Sequence, residues 1–271
     1  MKINLADERT RWRLSLSSLS LGAALIYLWD LANGQRSEYY AAIAMAMSKN
    51  FSNLFFGTLD PGGSVTLDKI PGSYWIPAIF VKIFGFSTWA VNAPNVIATV
   101  ATVVVIAITA KNLYGKTAGL IAGAIFATTP IVAAVSRSNQ PQSFFLLTLA
   151  ISGWAAVKAL QNNSRKYLIL AGVWIAVAFH TYMLEAWAIW PALIIAYLFT
   201  EQRMIKKFLD LLIAGTTSLI LSLSWIIIVT LIPASHRPYI GGTYHNNPFE
   251  MVFGYNGLGR FTSSSNSLSS T

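Results

Sequence analysis

The sequence contains no cysteine, only ten acidic residues and only three histidines in a chain of 271 residues. The absence of cysteine excludes disulfides, thiolate metal sites and a cysteine nucleophile. No two histidines have the spacing of metal ligands. Charged residues make up only 11% of the chain, against 55% hydrophobic residues, which is less than half the charge of an ordinary soluble domain. The composition indicates an integral membrane protein, and without a nucleic-acid-binding motif we expect no nucleic-acid partner.

Apolar sequence is abundant, in runs long enough to cross a bilayer. A hydrocarbon core of about 30 Å needs a helix of about 17 to 25 residues, and seven runs meet this requirement. They cover residues 14–31, 90–110, 117–135, 143–160, 167–183, 184–200 and 208–233. We therefore predict an all-α, polytopic bundle of about seven transmembrane helices that occupies residues 1–233.

Two shorter helical patterns lie in the first long loop. The pattern over residues 72–86 has Lys82 in its middle, and a lysine at the bilayer centre costs about 2.5 to 3.5 kcal/mol. We predict that this helix lies at the membrane interface under the loop, and that residues 39–47 form a second interfacial helix.

The distribution of positive charge orients the bundle in a multi-pass protein of the cytoplasmic membrane. With the short helices outside the bilayer, 12 of the 19 lysines and arginines fall on the side of the N-terminus. They are Lys2, Arg9, Arg11, Arg13, Lys111, Lys116, Lys158, Arg165, Lys166, Arg203, Lys206 and Lys207. The N-terminus is therefore predicted inside. The first loop, residues 136–143, residues 180–185 and the segment after Pro233 are predicted outside.

The first outer loop, residues 32–72, carries three of the ten acidic residues: Glu38, Asp60 and Asp68. A loop that gathers carboxylates beside apolar helices is the first place to look for chemistry, and an ordinary solvated hairpin is the alternative. Glu38 begins a helical pattern, so it either caps that helix or acts as a base. Asp68 and Lys69 precede Pro71, and either bind a phosphate and orient a hydroxyl or cap the next helix and reach to the interface.

Other polar residues have simpler interpretations. Asp60 begins the turn Asp-Pro-Gly-Gly, for which we predict no catalytic role. Arg137 lies on the second outer turn, where a planar guanidinium suits phosphate oxygens, and a solvated loop arginine is the alternative. His180 is predicted to be a satisfied polar residue between helices.

The sequence resembles the bacterial family 39 glycosyltransferases, which are related to the protein mannosyltransferases and the lipid A aminoarabinose transferases in the GT-C class. The resemblance covers residues 10 to about 260. It is carried by an ordered series: SEYYAAI, FFGTLDPGGSVTLDKIPGSYW, IFGFSTWAVNAPN, LYGKTAGLIAGAIFATTPIVAAVSRSNQP, MLEAWAIWPALIIAYL and RPYIGG followed by FGYNGLGR. It implies transfer of a sugar from a polyprenyl-phosphate carrier to an acceptor outside the cytoplasmic membrane, with the acceptor a lipid, a glycan or a protein.

The resemblance also implies roles for individual residues. Glu38 would deprotonate the acceptor, Lys69 would contact the carrier phosphate and Asp68 would support the site. Further residues implied in binding carrier or substrate are Tyr40, Arg137, Asn139 and Arg237. No metal is required, since cationic side chains can neutralise the leaving phosphate, although the carboxylates could hold a divalent ion.

Four positions depart from the family pattern. Ser37 stands where relatives often have an acid or asparagine, and Ile70 replaces the first proline of DKPP. Gln142 replaces an aspartate and Tyr182 replaces a lysine. The departures leave a non-catalytic remnant or partner subunit as an alternative to an enzyme. A transporter is a further alternative, but it predicts charges buried within the spans, and these are nearly free of charge.

The end of the chain differs from the rest. The serine-rich run FTSSSNSLSST has no apolar period, and we interpret the sequence as the N-terminal part of a longer enzyme. Residues 234–271 are then part of a second outer loop without an anchor. We expect mobility from about residue 261, or in the wider version of this hypothesis from His236, and we expect the carboxylates to face an open groove. On this interpretation the chain alone does not transfer sugar.

Overall fold

The computed structural model describes residues 7–259, and this part of the chain is almost entirely helical. Its α-helices are α1 (Glu8–Leu28), α2 (Glu38–Met47), α3 (Phe51–Phe56), α4 (Gly72–Phe84), α5 (Thr88–Tyr114), α6 (Lys116–Thr128), α7 (Pro130–Ser136), α8 (Gln142–Asn162), α9 (Arg165–Tyr182), α10 (Trp190–Leu198) and α11 (Met204–Leu231). A 3₁₀ segment, Met183–Ile189, precedes α10, and a π-helical segment, Glu250–Leu258, follows α11. The described residues contain no β-strand, only isolated bridges, so the predicted all-α fold is confirmed.

Five helical stretches are long and apolar enough to cross a membrane, or six when the bent pair α6 and α7 counts as one span. One of the five, residues 165–198, has 34 residues and folds back on itself. Arg165 at its start and Tyr197 near its end both contact the carboxylate of Asp210 in α11. The chain reverses at Met183, where φ is +56°. This stretch therefore runs in two antiparallel legs, and the second, with α10, is short. By length and apolarity the described residues hold five or six spans, against the roughly seven predicted.

Contacts between the legs define two ends of the bundle. At one end, Asn92 of α5 donates to the carbonyl of Arg137 after α7 (3.0 Å), and Arg137 donates to the carbonyl of Trp29 after α1 (2.6 Å). We call this the loop end, because residues 31–87, 137–141, 180–189 and 233–259 all lie there. At the opposite end, Gln161 of α8 donates to the carbonyl of Asn112 in α5 (2.9 Å).

Helix α4 lies across the loop end instead of crossing the bundle. Near its start, the Ser73 hydroxyl donates to the carbonyl of Thr181 (2.9 Å). At its last residue, the Phe84 ring meets the Trp89 ring at the start of α5, with centroids 5.4 Å apart. Both ends of α4 therefore remain at the loop end, as an interfacial helix requires. The structure agrees with the prediction for residues 72–86, and α2 agrees with the prediction for residues 39–47.

Residues 234–259 are anchored, contrary to the sequence-based expectation. The Thr66 N–H donates to the carbonyl of Tyr239 (2.8 Å), and the Tyr239 N–H donates to the carbonyl of Ser64 (2.9 Å). Ile240 and Met251 are fully buried in the large core formed with α8, α9 and α11. Apolar side chains in this segment supply the anchor that the prediction lacked. The mobility predicted from about residue 261 and the serine-rich tail lie outside the described residues.

Glycines allow some legs to approach closely, as is usual where helices pack in a membrane. A Cβ at Gly119 in α6 would lie 2.5 Å from the carbonyl oxygen of Ala107 in α5. A Cβ at Gly172 in α9 would lie 2.7 Å from the carbonyl oxygen of Ala214 in α11. Both distances are shorter than any normal carbon–oxygen contact, so these helix pairs depend on glycine. Gly215 in α11, by contrast, faces open space.

We predict that Gly172→Ala destabilises the bundle by about 1 to 3 kcal/mol, because the added methyl group forces α9 and α11 apart. Gly215→Ala is the matched control and should leave stability unchanged or raise it, since alanine favours a helix by up to about 1 kcal/mol over glycine. Thermal unfolding in detergent, followed by circular dichroism, measures both. Equal unfolding midpoints for the two variants would contradict the close packing of α9 on α11.

Candidate functional site

The loop between α3 and α4 is shaped by Asp60. Its carboxylate accepts hydrogen bonds from the Ser64 N–H (3.0 Å) and the Ser64 hydroxyl (2.7 Å). The Ser64 hydroxyl, followed by backbone N–H groups, holds the pKa of Asp60 below its ordinary value. The turn brings the Leu67 N–H to the carbonyl of Gly57 (2.8 Å). Asp60 therefore has the structural role that its Asp-Pro-Gly-Gly context indicates.

Asp68 and Lys69 form an ion pair with a distance of 2.9 Å between Oδ1 and Nζ. About four-fifths of each side chain is buried, with 23% of Asp68 and 20% of Lys69 exposed. The N-cap of α4 is Pro71, and no side chain caps that helix. The capping alternative for Asp68 is therefore excluded, and the expectation that it faces an open groove is wrong, because the C-terminal segment covers it.

Three hydrogen bonds fix the backbone around Asp68. Asn256 Nδ2 donates to the Asp68 carbonyl (2.6 Å), and the Gly241 N–H donates to the Thr66 hydroxyl (3.0 Å). The third is the bond from the Leu67 N–H to the carbonyl of Gly57, the residue that follows α3. Two partners come from the segment after α11, so the ion pair of the first loop is positioned by residues more than 170 positions later in the chain.

Four tyrosines surround this ion pair. The Tyr40 ring stacks on Tyr74, with centroids 5.1 Å apart, and meets the edge of Tyr39 at 5.3 Å. Partial burial raises the pKa of Tyr39 to about 12, and the nearby charge of Asp68 and the Tyr40 and Tyr255 hydroxyls add to the effect. Burial, followed by the neighbouring Tyr40, raises the pKa of Tyr74 well above its usual range. Tyr39 and Tyr74 therefore stay neutral near pH 7.

Glu38 lies at the first position of α2 and is 77% exposed. Arg36 holds its carboxylate, with Nε 3.0 Å from Oε1 and Nη2 3.3 Å from Oε2. The Arg36 guanidinium also lies over the Phe86 ring, 4.9 Å from its centroid. The helix itself is capped by the neighbouring Ser37, whose hydroxyl accepts from the Tyr40 N–H (3.5 Å). The structure therefore assigns capping to Ser37 and leaves one accessible, oriented carboxylate on Glu38.

Asn139 joins the start of α2 to the turn before α8. Its Oδ1 accepts from the Ser37 N–H (2.8 Å), and its Nδ2 donates to the Ser37 carbonyl (2.9 Å). The side chain is buried, with 3% exposed. Both polar groups are used on the backbone next to Glu38, so the contacts show a structural role for Asn139. Its predicted role in substrate binding stays a prediction.

Arg137 and Arg237, both predicted to bind carrier or substrate, differ in how many of their donor groups are hydrogen-bonded. Arg137 donates to the carbonyl of Trp29 at the end of α1, where a cation suits the negative end of the helix dipole. Arg237 donates from Nη2 to the carbonyl of Asn246 (2.8 Å), but its Nε and Nη1 are buried and have no hydrogen-bond partner among the described residues. Burial lowers the pKa of Arg237. Arg137 Nε is likewise buried without a partner in the described part of the chain, so both arginines keep unused donors.

Two of the four departures from the family pattern contact each other. Gln142 donates from Nε2 to the Tyr182 hydroxyl (3.4 Å), and Tyr182 stacks on Phe145 with centroids 5.0 Å apart. Nearby, His180 Nδ1 lies 2.8 Å from the carbonyl of Ala176 and Nε2 lies 3.4 Å from the Ser224 hydroxyl. The prediction that His180 is a satisfied residue between helices is confirmed. No group of three or more histidine, aspartate or glutamate side chains could hold a metal ion within residues 7–259.

Sequence reasoning named Tyr40 and Asn139 but missed the other tyrosines and asparagines of the loop end: Tyr39, Tyr74, Tyr255, Asn92 and Asn256. Tyr255 and Asn256 lie in the run FGYNGLGR, which we used only for its resemblance to a family. Asn92 likewise lies in the quoted run STWAVNAPN, within an apolar helix. A polar amide inside such a helix was the available signal, because it must find a partner when buried.

Five long apolar helical stretches, or six with the bent pair, define a polytopic membrane protein. Its candidate site, with the carboxylates of Glu38 and Asp68, lies at the loop end. The sequence model of the dolichyl-phosphate-mannose-protein mannosyltransferase family matches residues 68–228, more than half of the chain. The chain belongs to this family.

Two Bacillus subtilis (strain 168) proteins are similar to most of the chain. One carries the name "Putative mannosyltransferase YkcB" and is 38% identical over 248 residues, which cover 91% of this chain and 34% of that protein. The other, of the same description, is YycA, with 36% identity over 256 residues, which cover 92% of this chain and 37% of that protein. The chain thus spans about a third of the length of the curated relatives it matches.

We predict that Asn139→Ala loosens the start of α2, because the partly buried Ser37 N–H loses its partner and the Ser37 carbonyl keeps only the Ala41 N–H. The cost is about 1 to 3 kcal/mol. Hydrogen exchange of residues 35–40 should become faster than in the unsubstituted chain. Asn162→Ala is the control, since Asn162 is exposed and bonds only within its own helix. Unchanged exchange at residues 35–40 would show that Asn139 does not hold this segment.

Proposed function

We propose that this chain forms the donor-binding part of a glycosyltransferase that takes a sugar from a polyprenyl-phosphate carrier at the loop end. The family's description, which specifies mannose and dolichyl phosphate, supports this. So do the names of the two relatives. The bundle of residues 7–233 and the segment 234–259 together enclose the proposed site. The acceptor of the sugar would be a lipid, a glycan or a protein.

The observation that carries the proposal is the Asp68–Lys69 pair beside α4. With α4 at the membrane interface, as we propose, Lys69 would lie at the depth where a membrane lipid presents its phosphate. The ammonium has three donors, and Asp68 uses one of them. Phosphate oxygens would take the others. Arg237, which lies on the segment that pairs with this loop, would supply the second cation through its unused Nε and Nη1.

The proposed reaction is an inverting displacement. Glu38 accepts the proton of the acceptor hydroxyl, and that oxygen forms a bond to the anomeric carbon of the sugar. The bond from this carbon to the phosphate oxygen breaks, and its electron pair leaves with the carrier phosphate. Lys69 and Arg237 stabilise the charge that develops on the phosphate. The ion pair with Arg36 fixes the orientation of the Glu38 carboxylate.

The proposed orientation places the loop end outside the cytoplasmic membrane. It is supported by the excess of lysine and arginine in the loops of the opposite end, which the positive-inside rule assigns to the cytoplasm. A polyprenyl-phosphate sugar would then be used on the outer side.

Single cysteines test this orientation, and the chain needs no cysteine removed first. We predict that Ser52→Cys, on exposed α3, reacts with a membrane-impermeant maleimide added to intact cells. Ser164→Cys, at the start of α9 at the opposite end, should react only after the membrane is permeabilised. Labelling of both positions from the same side would overturn the arrangement of the legs in the membrane, and the reverse pattern would overturn its orientation.

Two variants separate the proposed roles in catalysis and binding. Glu38→Gln keeps the shape of the side chain but removes its basicity, so turnover of the whole protein should fall by roughly 10² to 10⁴ with carrier binding retained. Lys69→Ala should weaken carrier binding first, because the phosphate is charged before the reaction begins. Release of carrier phosphate and binding of polyprenyl phosphate measure the two effects.

Glu201→Gln and Lys166→Ala are the matched controls, since both side chains are exposed at the opposite end. Turnover of Glu38→Gln equal to that of the unsubstituted protein would remove Glu38 from the mechanism. Binding of the carrier by the whole protein without any transfer of sugar would favour the non-catalytic alternative.

A further inference from the structure

Two tyrosines beside Asp68 keep their ring faces exposed although most of their neighbours are packed. Tyr39 is 46% exposed and Tyr255 is 51% exposed. They come from segments more than 200 residues apart, α2 and the π-helical segment. Tyr39 has Asp68 and Tyr255 among its electrostatic neighbours, and Tyr255 and Asp68 both lie against Gly242. The mechanism proposed above uses neither ring.

Tyr39 is held in place by a series of aromatic rings that leads into the protein interior. The edge of its ring meets Tyr40, and Tyr40 stacks on Tyr74. Tyr74 is 2% exposed and forms part of a core cluster with Ile43 and Leu67. The stack therefore ends in the interior of the loop end, and it presents Tyr39 as an aromatic surface fixed on a rigid base.

Tyr255 is held by the backbone opposite. Gly242 has a φ of +71°, and a Cβ there would lie 2.9 Å from Cδ1 of Tyr255 and 3.3 Å from the Cβ of Asp68. The ring can come this close to Asp68 only because residue 242 lacks a side chain. The next residue, Asn256, donates to the Asp68 carbonyl, so the Tyr255 ring and the carboxylate are fixed relative to each other.

The chemistry of this arrangement fits a sugar ring. A pyranose presents apolar C–H groups on its faces, which pack on the electron-rich faces of aromatic rings. Its hydroxyls donate hydrogen bonds, and an ionised carboxylate is an acceptor with about four sites. Tyrosine hydroxyls at the rim can both donate and accept. A purely apolar ligand would desolvate the Asp68 carboxylate and leave Lys69 as its one side-chain partner within residues 7–259, which is costly.

We propose that Tyr39 and Tyr255 form a clamp for the hexose of the lipid-linked donor, with the carboxylate of Asp68 accepting hydrogen bonds from its hydroxyls. This inference rests on the proposed function, because the phosphate that carries the sugar is assigned to Lys69, the neighbour of Asp68. One bond separates the sugar from that phosphate, so a sugar over Asp68 follows from a phosphate at Lys69. The clamp recognises the sugar, and the cations recognise the carrier.

The test compares two ligands that differ only in the sugar: a short-chain polyprenyl phosphate and the same polyprenyl phosphate bearing mannose. Binding to the purified chain in lipid nanodiscs is measured by native mass spectrometry and by calorimetry. Tyr39→Ala and Tyr255→Ala should each weaken binding of the mannose-bearing ligand by about 3- to 10-fold, the value of one aromatic contact. Binding of the sugar-free carrier should change by less than about twofold.

Further variants distinguish loss of the aromatic ring from a general loss of folding. Tyr39→Phe and Tyr255→Phe keep the ring and should retain most of the sugar-dependent binding, whereas Tyr255→Leu keeps apolar bulk but should lose it even if Tyr255→Ala folds poorly. Tyr244→Ala is the matched control, because Tyr244 is a tyrosine of the same segment and is 91% exposed. It should bind both ligands as the unsubstituted chain does.

The outcomes separate this inference from the proposed function. Lys69→Ala should weaken binding of both ligands, and a chain that binds neither ligand would overturn the proposed function together with the clamp. If the unsubstituted chain binds the carrier but the tyrosine variants weaken both ligands equally, or weaken neither, the clamp alone is overturned. A loss of sugar-dependent binding in Tyr244→Ala of the same size would also overturn it.

Discussion

The loop end depends on the pairing of loop backbone by asparagine side chains. Non-helical backbone beside a membrane cannot rely on water for all its hydrogen bonds, and each unpaired group is costly. Asn92 donates to the carbonyls of Gln35 and Arg137, Asn139 pairs with both backbone groups of Ser37, and Asn256 donates to Asp68. Each amide joins segments far apart in the chain. Without them, the loops that carry the carboxylates would have no fixed position over the bundle.

Features determined by local sequence could be predicted. The apolar runs located the legs because their length is set by bilayer thickness. Lys82 indicated that α4 does not cross, since a lysine in mid-bilayer is costly. Bends within a leg were harder to predict from the sequence. Helices α6 and α7 meet at an angle of 64°, but residues 117–135 have the pattern of one continuous span. Pro130 was the local signal for this bend, because proline removes a helical hydrogen bond.

The parts that could not be predicted depend on contacts across long distances in the chain. The segment after α11 has too few apolar residues to form a core alone, and this led to the expectation that it is unanchored. Its few apolar residues, Ile240, Met251 and Val252, instead complete a core that α9 and α11 already provide. The same holds for Tyr255, since its position over Gly242 and beside Asp68 depends on pairing between residues 64–68 and 239–241. No local pattern records such pairing.

Gln142 and Tyr182 show how a structure changes the meaning of sequence differences. Considered separately, each is a neutral residue where the family resemblance leads us to expect a charged one. In the structure they touch, so the two differences form one exchange, in which a neutral hydrogen-bonded pair occupies a place between α8 and α9. A neutral pair avoids the desolvation cost of two charges, which suits a position between two legs of an apolar bundle.

The pairing of the first loop with the last segment has a consequence for biosynthesis. A ribosome completes Asp68 and Lys69 long before it reaches Gly241 or Asn256, and most of the bundle enters the membrane in between. Until the end of α11 has crossed, the first loop has neither its backbone partners nor its cover. A partly made chain in a membrane rich in lipid phosphates therefore carries the cation without the assembled site around it. The order of synthesis thus delays assembly of the loop around Asp68 until α11 is complete, because Gly241 and Asn256 are made after it.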